Sequence, residues 1–293
     1  TFSAPPSGSP LWTSPEHDSE RADVQLSELA GTRLGDHDVE YDDRTTILYA
    51  LCCGATQDDL PLIWEDRLVA LPTLATALGL WAVERAGDLG AYDRARSLHV
   101  GQTLEMHAPL PSSGRLVMEG AVDAVFDKGK AAIVEISARC EAFSASYTIF
   151  LPGLGGFGGD RGPQTAPVEM PEQASSCTVA TAENLALLYR LTGDRHPIHV
   201  DPEVARANGF QRPILHGLCT LGIATYAAAN ATGNDPTTLR HLSARFGVAV
   251  TPGDDITVRA GAIGSGGIAF EAASPAGAAV RDASARFASA AEA

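Results

Sequence analysis

The chain has 293 residues, which allows one large or two ordinary domains with a proper hydrophobic core. Its 21 Lys and Arg against 36 Asp and Glu give a net charge of −15, which repels phosphate backbones and anionic lipid. We therefore expect neither nucleic-acid nor membrane-surface binding. The sequence contains no uninterrupted apolar run of about 18 residues, so it predicts no membrane-spanning helix.

The ends of the chain and its cysteines carry a prediction about location. Residues 1–30 are polar and Pro-rich, without the basic start and apolar run of a signal peptide, and we interpret them as a flexible N-terminal arm. The last three residues, 291–293, carry no peroxisomal address. An odd, scattered set of cysteines predicts buried free thiols in a reducing compartment, and hence a cytoplasmic protein: Cys52, Cys53, Cys140, Cys177 and Cys219.

The first half of the chain predicts two helices followed by strands. Apolar residues at helical spacing behind Asp42 predict an N-capped helix over residues 43–51, and a second helix is expected over residues 71–81 with Pro72 in its first turn. The period then changes to two. Strands are expected at residues 102–107, 117–122, 131–137 and 147–151, with a hairpin turn at residues 127–130.

The second half repeats this order. A Gly- and Pro-rich linker at residues 154–171 is followed by a helix over 181–191 and an apolar helix over 217–230. Strands are expected at residues 239–250, 256–263, 267–273 and 278–287. The repeated order predicts an internal duplication, with one domain over residues 31–160 and a second over residues 161–293.

The densest cluster of polar functional groups lies in one short segment of the second half. Asp194, His196, His199 and Asp201 fall within eight residues, and neighbouring Pro and Gly residues forbid a continuous helix through them. Across the resulting loop a carboxylate and an imidazole can converge on one water molecule, which suits acid–base catalysis. A structural loop whose polar side chains bind backbone amides is an equal alternative. A metal site is a further alternative, because these residue types are acceptable ligands.

A second cluster lies where the apolar helix of the second half begins. Pro213 ends the preceding structure, and the first N–H groups of the helix, at Gly217, have no partner within the helix. They lie at the positive end of the helix dipole and can hold a developing oxyanion. The alternative is a buried helix with a tight entry turn.

Two further patterns predict less. The spacing of glycines in residues 153–158 matches a dinucleotide-binding fingerprint, but no helix or crossover unit follows, so we interpret it as a turn or linker. Lys128 and Lys130 lie together on the predicted hairpin turn. Such a turn is usually solvated, and it becomes a candidate phosphate site only if the substrate carries phosphates.

Together these segments resemble the hydratase-2 family, the MaoC-like (R)-specific enoyl-CoA hydratases and 3-hydroxyacyl thioester dehydratases. The resemblance is strongest in residues 191–199 (LTGDRHPIH) and 212–220 (RPILHGLCT), and it extends from about residue 38 over most of the chain. It implies an α+β double hot-dog fold, with two antiparallel sheets each wrapping a helix. It also implies that Asp194 and His199 hold the reacting water and that the Gly217 N–H binds the thioester oxygen.

The resemblance implies further roles. His196 stands where the family has Asn, and His196 and His216 are expected to contact substrate. Lys128, Lys130 and Arg245 are candidates for the phosphates of coenzyme A. The first domain is expected to be catalytically degenerate and to bind the acyl chain, since its predicted helix is rich in small residues.

We therefore expect reversible hydration of trans-2-enoyl-CoA to (3R)-hydroxyacyl-CoA, with no metal and no cofactor. Adding water to a conjugated thioester needs a positioned water, a base, an acid and an enolate-stabilising donor, and these residues supply all four. The open alternatives are an acyl-carrier-protein thioester as substrate, a non-catalytic thioester-binding subunit and a hot-dog thioesterase. Both a monomer and a homodimer are compatible with the fold.

Overall fold

The computed structural model describes residues 25–164, 166–264 and 266–288. The first half contains β1 (Arg33–Tyr41), α1 (Asp43–Cys52), α2 (Leu60–Ile63), α3 (Leu74–Leu78), α4 (Trp81–Asp88), β2 (Leu98–Met106), β3 (Gly114–Asp127), β4 (Ala131–Arg139) and β5 (Phe143–Pro152). The second half contains β6 (Ser175–Ala180), α5 (Leu185–Tyr189), α6 (Pro202–Ala207), α7 (Gly217–Ala231), β7 (Leu239–Phe246), β8 (Asp255–Ile263), β9 (Gly267–Ser274) and β10 (Gly277–Phe287).

The strands form one antiparallel sheet in the order β1-β3-β4-β5-β2-β7-β10-β9-β8-β6. From one edge inward the strands follow the order β1, β3, β4, β5, β2, and from the other edge inward they follow β6, β8, β9, β10, β7. The two orders are the same when β1 to β5 are matched one by one with β6 to β10. The repeat seen in the sequence is therefore present in the topology. The two half-sheets expected from the sequence join edge to edge through β2 and β7, from Gly101–Arg245 to Glu105–His241. We call this β2–β7 pairing the seam.

Each half-sheet packs its inner face against helices. In the second half α7 lies against β6, β8, β9 and β10, and every α7 residue from Leu218 to Ala229 is buried. In the first half the same position is taken by α4, which packs on β1, β3 and β4. A single hydrophobic core runs through both halves among the described residues.

The two helices predicted in the first half differ in outcome. The capped helix is confirmed as α1, where the Asp42 carboxylate accepts a hydrogen bond from the Thr45 N–H at 2.9 Å. The helix expected over residues 71–81 is instead two short helices, α3 and α4, separated at Gly79 and Leu80. Gly79 approaches β5 so closely that a Cβ there would lie 2.6 Å from the Tyr147 hydroxyl oxygen, so this turn is determined by tertiary packing.

Two strands were absent from the sequence-based prediction, and both lie at the edges of the sheet. In β1 only two of the nine residues are buried, and in β6 none is. Neither strand has the apolar alternation of a half-buried strand, so the period-two signal is missing.

Two predicted elements are also shorter than expected. The strand predicted to reach residue 250 ends at Phe246, and the helix predicted over 181–191 is regular α-helix only in α5.

The predicted arm and linker are only partly described. Residues 1–24 of the predicted arm lie outside the described residues, whereas Leu29 is buried in the core. The folded part therefore begins before residue 30. The Gly-rich stretch forms a loop around the Asp127 carboxylate, which accepts hydrogen bonds from the N–H groups of Gly129, Gly156 and Gly158. These three bonds hold the pKa of Asp127 at about 2.

The prediction of buried free thiols is confirmed in part. All five cysteines are free, but only Cys52, Cys53 and Cys219 are buried, whereas Cys140 and Cys177 are partly exposed. Within the described ranges, no helix combines the length and apolar character needed to span a bilayer.

Candidate functional site

The candidate catalytic segment, residues 190–201, is a loop shaped by its Gly and Pro residues. After α5 a 3₁₀ turn runs over Arg190–Thr192, and the chain reverses at Gly193, whose φ of 140° suits glycine. A second 3₁₀ turn, Pro197–His199, begins at a proline. The predicted loop is therefore present, and it directs Asp194 and His199 toward each other.

The distance between Asp194 and His199 suits a shared water molecule. Nε2 of His199 lies 3.9 Å from Oδ2 of Asp194. That separation is too long for a direct hydrogen bond and short enough for one water to donate to both atoms at about 2.8 Å. The side chains are 10% and 17% exposed, so a small molecule can still reach them.

The backbone fixes the orientation of both groups. Nδ1 of His199 donates to the Ile214 carbonyl at 2.8 Å, so in the neutral ring Nε2 carries the free lone pair. Oδ1 of Asp194 accepts from the His196 N–H at 3.1 Å, which leaves Oδ2 directed at His199. Oδ2 of Asp194 and Nε2 of His199 are thus both free to accept a hydrogen bond from the same water. A base that takes a proton from water must have such a free acceptor atom.

Burial keeps the imidazoles of the site neutral. Desolvation lowers the pKa of His199, against the opposing charge of Asp194. The ring of His216 stacks on His199 with centroids 3.6 Å apart, and its Nε2 donates to the Asp194 carbonyl at 3.1 Å. Burial, together with neighbouring His199, lowers the pKa of His216 to about 3.

The start of α7 provides an accessible backbone donor. Gly217 is exposed although Leu215, His216 and Leu218 around it are buried. Its N–H has no hydrogen-bond acceptor among the described residues. The Phe246 ring lies 3.4 Å from the position that a Gly217 Cβ would take, so it lines this opening. A donor at the N-terminus of a 15-residue helix beside the acid–base pair is suited to a developing negative charge.

The other predicted residues of the loop have structural partners. Nδ1 of His196 accepts from the Ile198 N–H at 3.3 Å and caps the second 3₁₀ turn, so its ring faces its own backbone. Asp201 caps α6 by accepting from the N–H of Glu203 at 2.7 Å. The metal set considered from the sequence, which included His196 and Asp201, is therefore not brought together.

A different trio does come together, since Asp194, His199 and His216 present potential metal-ligand atoms within 4.8 Å of one another. The two imidazoles are stacked, however, with planes only 23° apart. The lone pair of an imidazole nitrogen lies in the plane of its ring. The lone pairs of two stacked rings therefore lie in nearly parallel planes and do not converge on one metal ion. In these rotamers the trio fits a metal ion poorly.

The predicted phosphate ligands lie away from this pair. The Lys128 ammonium donates to the Arg161 carbonyl and lies 5.4 Å from the Phe126 ring centroid, while Lys130 is exposed on the same turn. Arg245 lies on the outer face of the seam, where its guanidinium is 3.8 Å from Asp282. None of the three contacts Asp194 or His199 within the part of the chain described.

Sequence reasoning missed two residues that line the site. His99 comes from β2 in the first half, and its ring centroid lies 4.8 Å from that of Phe246. The charge of Asp194 influences the pKa of His99, which burial lowers to about 4. His99 belongs to no local motif, and Phe246 ends the segment of residues 242–246, over which the family resemblance also extends. The pairing of β2 with β7 brings the two residues together.

Comparison with protein families agrees with this fold. Residues 164–274 match a model described as MaoC like domain, and residues 39–151 match a model described as MFE-2 hydratase 2 N-terminal domain. A solved structure of a MaoC-like dehydratase from Phytophthora capsici superimposes with a TM-score of 0.80 at 25% identity, covering 91% of this chain and 98% of that one. The expected double hot-dog fold is confirmed.

Two relatives cover most of the chain. The 3-hydroxyacyl-thioester dehydratase Y of Mycobacterium tuberculosis is 39% identical over 236 residues, 74% of this chain and 81% of that protein. The peroxisomal enoyl-CoA hydratase 2 of Arabidopsis thaliana is 36% identical over 259 residues, 78% of this chain and 84% of that protein. Fold and relatives thus define an enzyme of the hydro-lyase class. The chain belongs to the family of two-domain MaoC-like dehydratases and hydratases 2.

Proposed function

We propose that the protein catalyses reversible hydration of trans-2-enoyl-CoA to (3R)-hydroxyacyl-CoA. The observation that carries the proposal is the 3.9 Å separation of Asp194 Oδ2 and His199 Nε2, with the other side of each group occupied by the backbone. The names of the relatives support the substrate class, since they include an enoyl-CoA hydratase and a 3-hydroxyacyl-thioester dehydratase.

The proposed reaction balances with one water and no other reagent. The water oxygen bonds to C3 of the enoyl thioester while Asp194 or His199 takes one of its protons. The electron pair of the C2–C3 double bond moves toward the thioester carbonyl, and the Gly217 N–H donates to the resulting enolate oxygen. The protonated member of the pair then delivers its proton to C2, and dehydration is the reverse.

Metal and cofactor play no part in this proposal. Proton transfer and enolate stabilisation are both supplied by the chain, and the stacked rings of His199 and His216 are poorly arranged as ligands. We expect hydration activity to be unchanged after dialysis against a chelator. Zinc-dependent recovery of a chelated, inactive sample would contradict this part of the proposal.

In this proposal residues 31–160 form a catalytically degenerate domain that binds the acyl chain. Residues 161–293 form the catalytic domain. Helices α3 and α4 of the first domain are rich in small residues, Ala75, Ala77 and Ala82 among them. Lys128, Lys130, Arg245, His196 and His216 stay predictions as substrate contacts. Cytoplasmic location also stays a prediction, since the Arabidopsis relative is named peroxisomal.

The test is a hydration assay on a panel of trans-2-enoyl thioesters. Crotonyl-CoA and a longer enoyl-CoA are incubated with the protein, loss of the conjugated thioester is followed, and the configuration at C3 of the product is determined. We expect turnover to the 3R product. Binding without turnover would identify a non-catalytic subunit, and release of free thiol would identify a thioesterase. Turnover of carrier-protein thioesters alone would show that the substrate carrier is not coenzyme A. Each of these results would overturn the proposal.

A further inference from the structure

The position of His99 depends on a β-bulge in β2. Side chains of β2 alternate, with Gln102 and Leu104 buried on the inner face of the sheet and Glu105 on the outer face. Strict alternation would direct His99 outward. Gly101 pairs with Thr148 of β5, however, and His99 pairs with the next residue, Ile149, so β2 has one extra residue at Val100.

This bulge turns the His99 imidazole to the inner face, where Ile149 is buried. Bulges are frequent next to active sites, where they redirect a side chain. A polar ring on a largely apolar inner face is costly unless it is bonded. Here Nε2 of His99 donates to the Gly101 carbonyl at 2.9 Å, inside the bulge itself.

His99 is one link in a series of ring contacts that ends at α7. The Tyr147 hydroxyl donates to the Thr76 carbonyl of α3 at 2.7 Å, and its ring lies 5.6 Å from that of His99. His99 meets Phe246 edge to face at 64°. Phe246 in turn packs on Gly217, 3.4 Å from its Cβ position. The series joins the first half of the chain to the N–H proposed to bind the thioester oxygen.

The same residues border an opening to solvent. His99 and Phe246 face inward yet are partly exposed, Gly217 is exposed, and Asp194 is partly exposed, whereas Tyr147 behind them is fully buried. Solvent therefore reaches the inner face of the sheet at the seam, beside the acid–base pair. A substrate that enters here passes over the His99–Phe246 ring pair and reaches the exposed start of α7 beside it.

We propose that His99 is a positioning residue of the hydratase site: its ring holds Phe246 against Gly217 and so fixes the thioester oxygen relative to the water between Asp194 and His199. The inference rests on the proposed function and gives the first half a part in catalysis besides acyl-chain binding. His99 does not exchange the proton. Although the ring is partly exposed, it is buried enough that desolvation lowers its pKa to about 4, and it is neutral at the pH at which the pair works. An imidazolium here would instead attract the Asp194 carboxylate.

The test compares His99→Ala with His99→Phe in the full-length enzyme, using crotonyl-CoA. Because small misplacements of reacting groups lower the rate of the chemical step, we expect His99→Ala to lower kcat roughly 10- to 100-fold, with KM changed less than about threefold. His99→Phe restores a ring against Phe246 and should recover kcat to within about threefold of the original enzyme. A loss of fold alone would not be repaired in this way.

The matched control is His241→Ala, on the opposite face of the same seam, where Nδ1 of His241 lies 2.6 Å from Glu105. It should keep kcat, and all variants are compared by thermal unfolding. The inference is overturned if His99→Ala keeps its kcat, if folded His99→Phe is as slow as His99→Ala, or if His241→Ala loses kcat equally. Failure of the proposed function is separate, since the unaltered enzyme would then not hydrate crotonyl-CoA.

Discussion

At the residue scale, three histidines around the candidate site are held neutral by their surroundings. Burial lowers the pKa of His99 to about 4 and that of His216 to about 3, and it also lowers the pKa of His199 against the charge of Asp194. Each ring donates one N–H to a backbone carbonyl, which determines its tautomer. The chemistry therefore depends on keeping these imidazoles unprotonated.

This predicts how activity depends on pH. His199 takes a proton only when Nε2 is free, and its lowered pKa keeps that form populated below pH 6.5, the ordinary midpoint of histidine. We expect the acid limb of kcat/KM for enoyl-CoA hydration to have its midpoint below 6.5. A midpoint at or above 6.5 would mean that His199 is not the buried base described here.

The same shifts predict how stability depends on pH. Above pH 6.5 the three rings are neutral in both the folded and the unfolded chain. As the pH falls below 6.5 the unfolded chain binds protons that the folded chain excludes, so the free energy of unfolding decreases. Urea unfolding at pH 7.5, 6.0 and 5.0 should show a free energy of unfolding that decreases at each step. A constant free energy over this range would contradict the burial of these rings.

At the scale of elements, α7 of the second half and the end of α1 of the first half come into close contact. A Cβ at Gly222 of α7 would lie 2.6 Å from the Cys53 sulfur and 3.0 Å from the Tyr49 hydroxyl. Cys53 follows the last turn of α1, and both it and Tyr49 are buried. Glycine at this position thus permits the helices to approach.

Gly222→Ala is therefore expected to destabilise the protein. Overpacking costs about 1–3 kcal/mol, which exceeds the roughly 1 kcal/mol that alanine gains over glycine inside a helix. Adding Cys53→Ala removes the nearest atom, so the double variant should recover part of the lost free energy of unfolding in urea. Strictly additive effects of the two changes would show that the predicted clash does not exist.

The elements differ in how far the sequence determines them. α1 and α7 were predicted closely, because a cap at Asp42 and a continuous apolar run are local signals. The break at Gly79 and the edge strands β1 and β6 were not, since the first depends on contact with Tyr147 and the others lack apolar alternation. Asp194 and His199 were predicted because they lie only five residues apart, in a segment where Gly193 and Pro197 exclude a continuous helix. His99 was missed because a bulge, which leaves no pattern in the letters, turns it inward.

At the scale of the whole molecule, the seam makes the two halves one structure. Leu104 of β2 pairs with Leu242 of β7, both are fully buried, and one hydrophobic core contains residues from both halves. The candidate site also draws on both halves, since His99 comes from the first and the acid–base pair from the second. We expect the halves to unfold together.

Leu104→Ala tests this expectation. Removing a fully buried leucine costs about 2–5 kcal/mol, and if the seam joins the halves the whole urea transition shifts while remaining single. Thr103→Ala, which changes the outer face of the same strand, is the control and should shift the transition much less. Two separate transitions, with only one displaced, would show that the halves fold independently.

The central claim is that Asp194 and His199 activate one water molecule, and the most direct measurement is the kcat for enoyl-CoA hydration by Asp194→Asn. The amide keeps the shape of the side chain but cannot take a proton, so we expect kcat to fall by about 10²–10⁴-fold with the fold intact. The control is Asp201→Asn, which makes the same chemical change in the same loop. Asp201 caps α6, and asparagine caps a helix equally well, so this variant should leave kcat unchanged. Retention of activity by Asp194→Asn, or an equal loss in Asp201→Asn, would contradict the account.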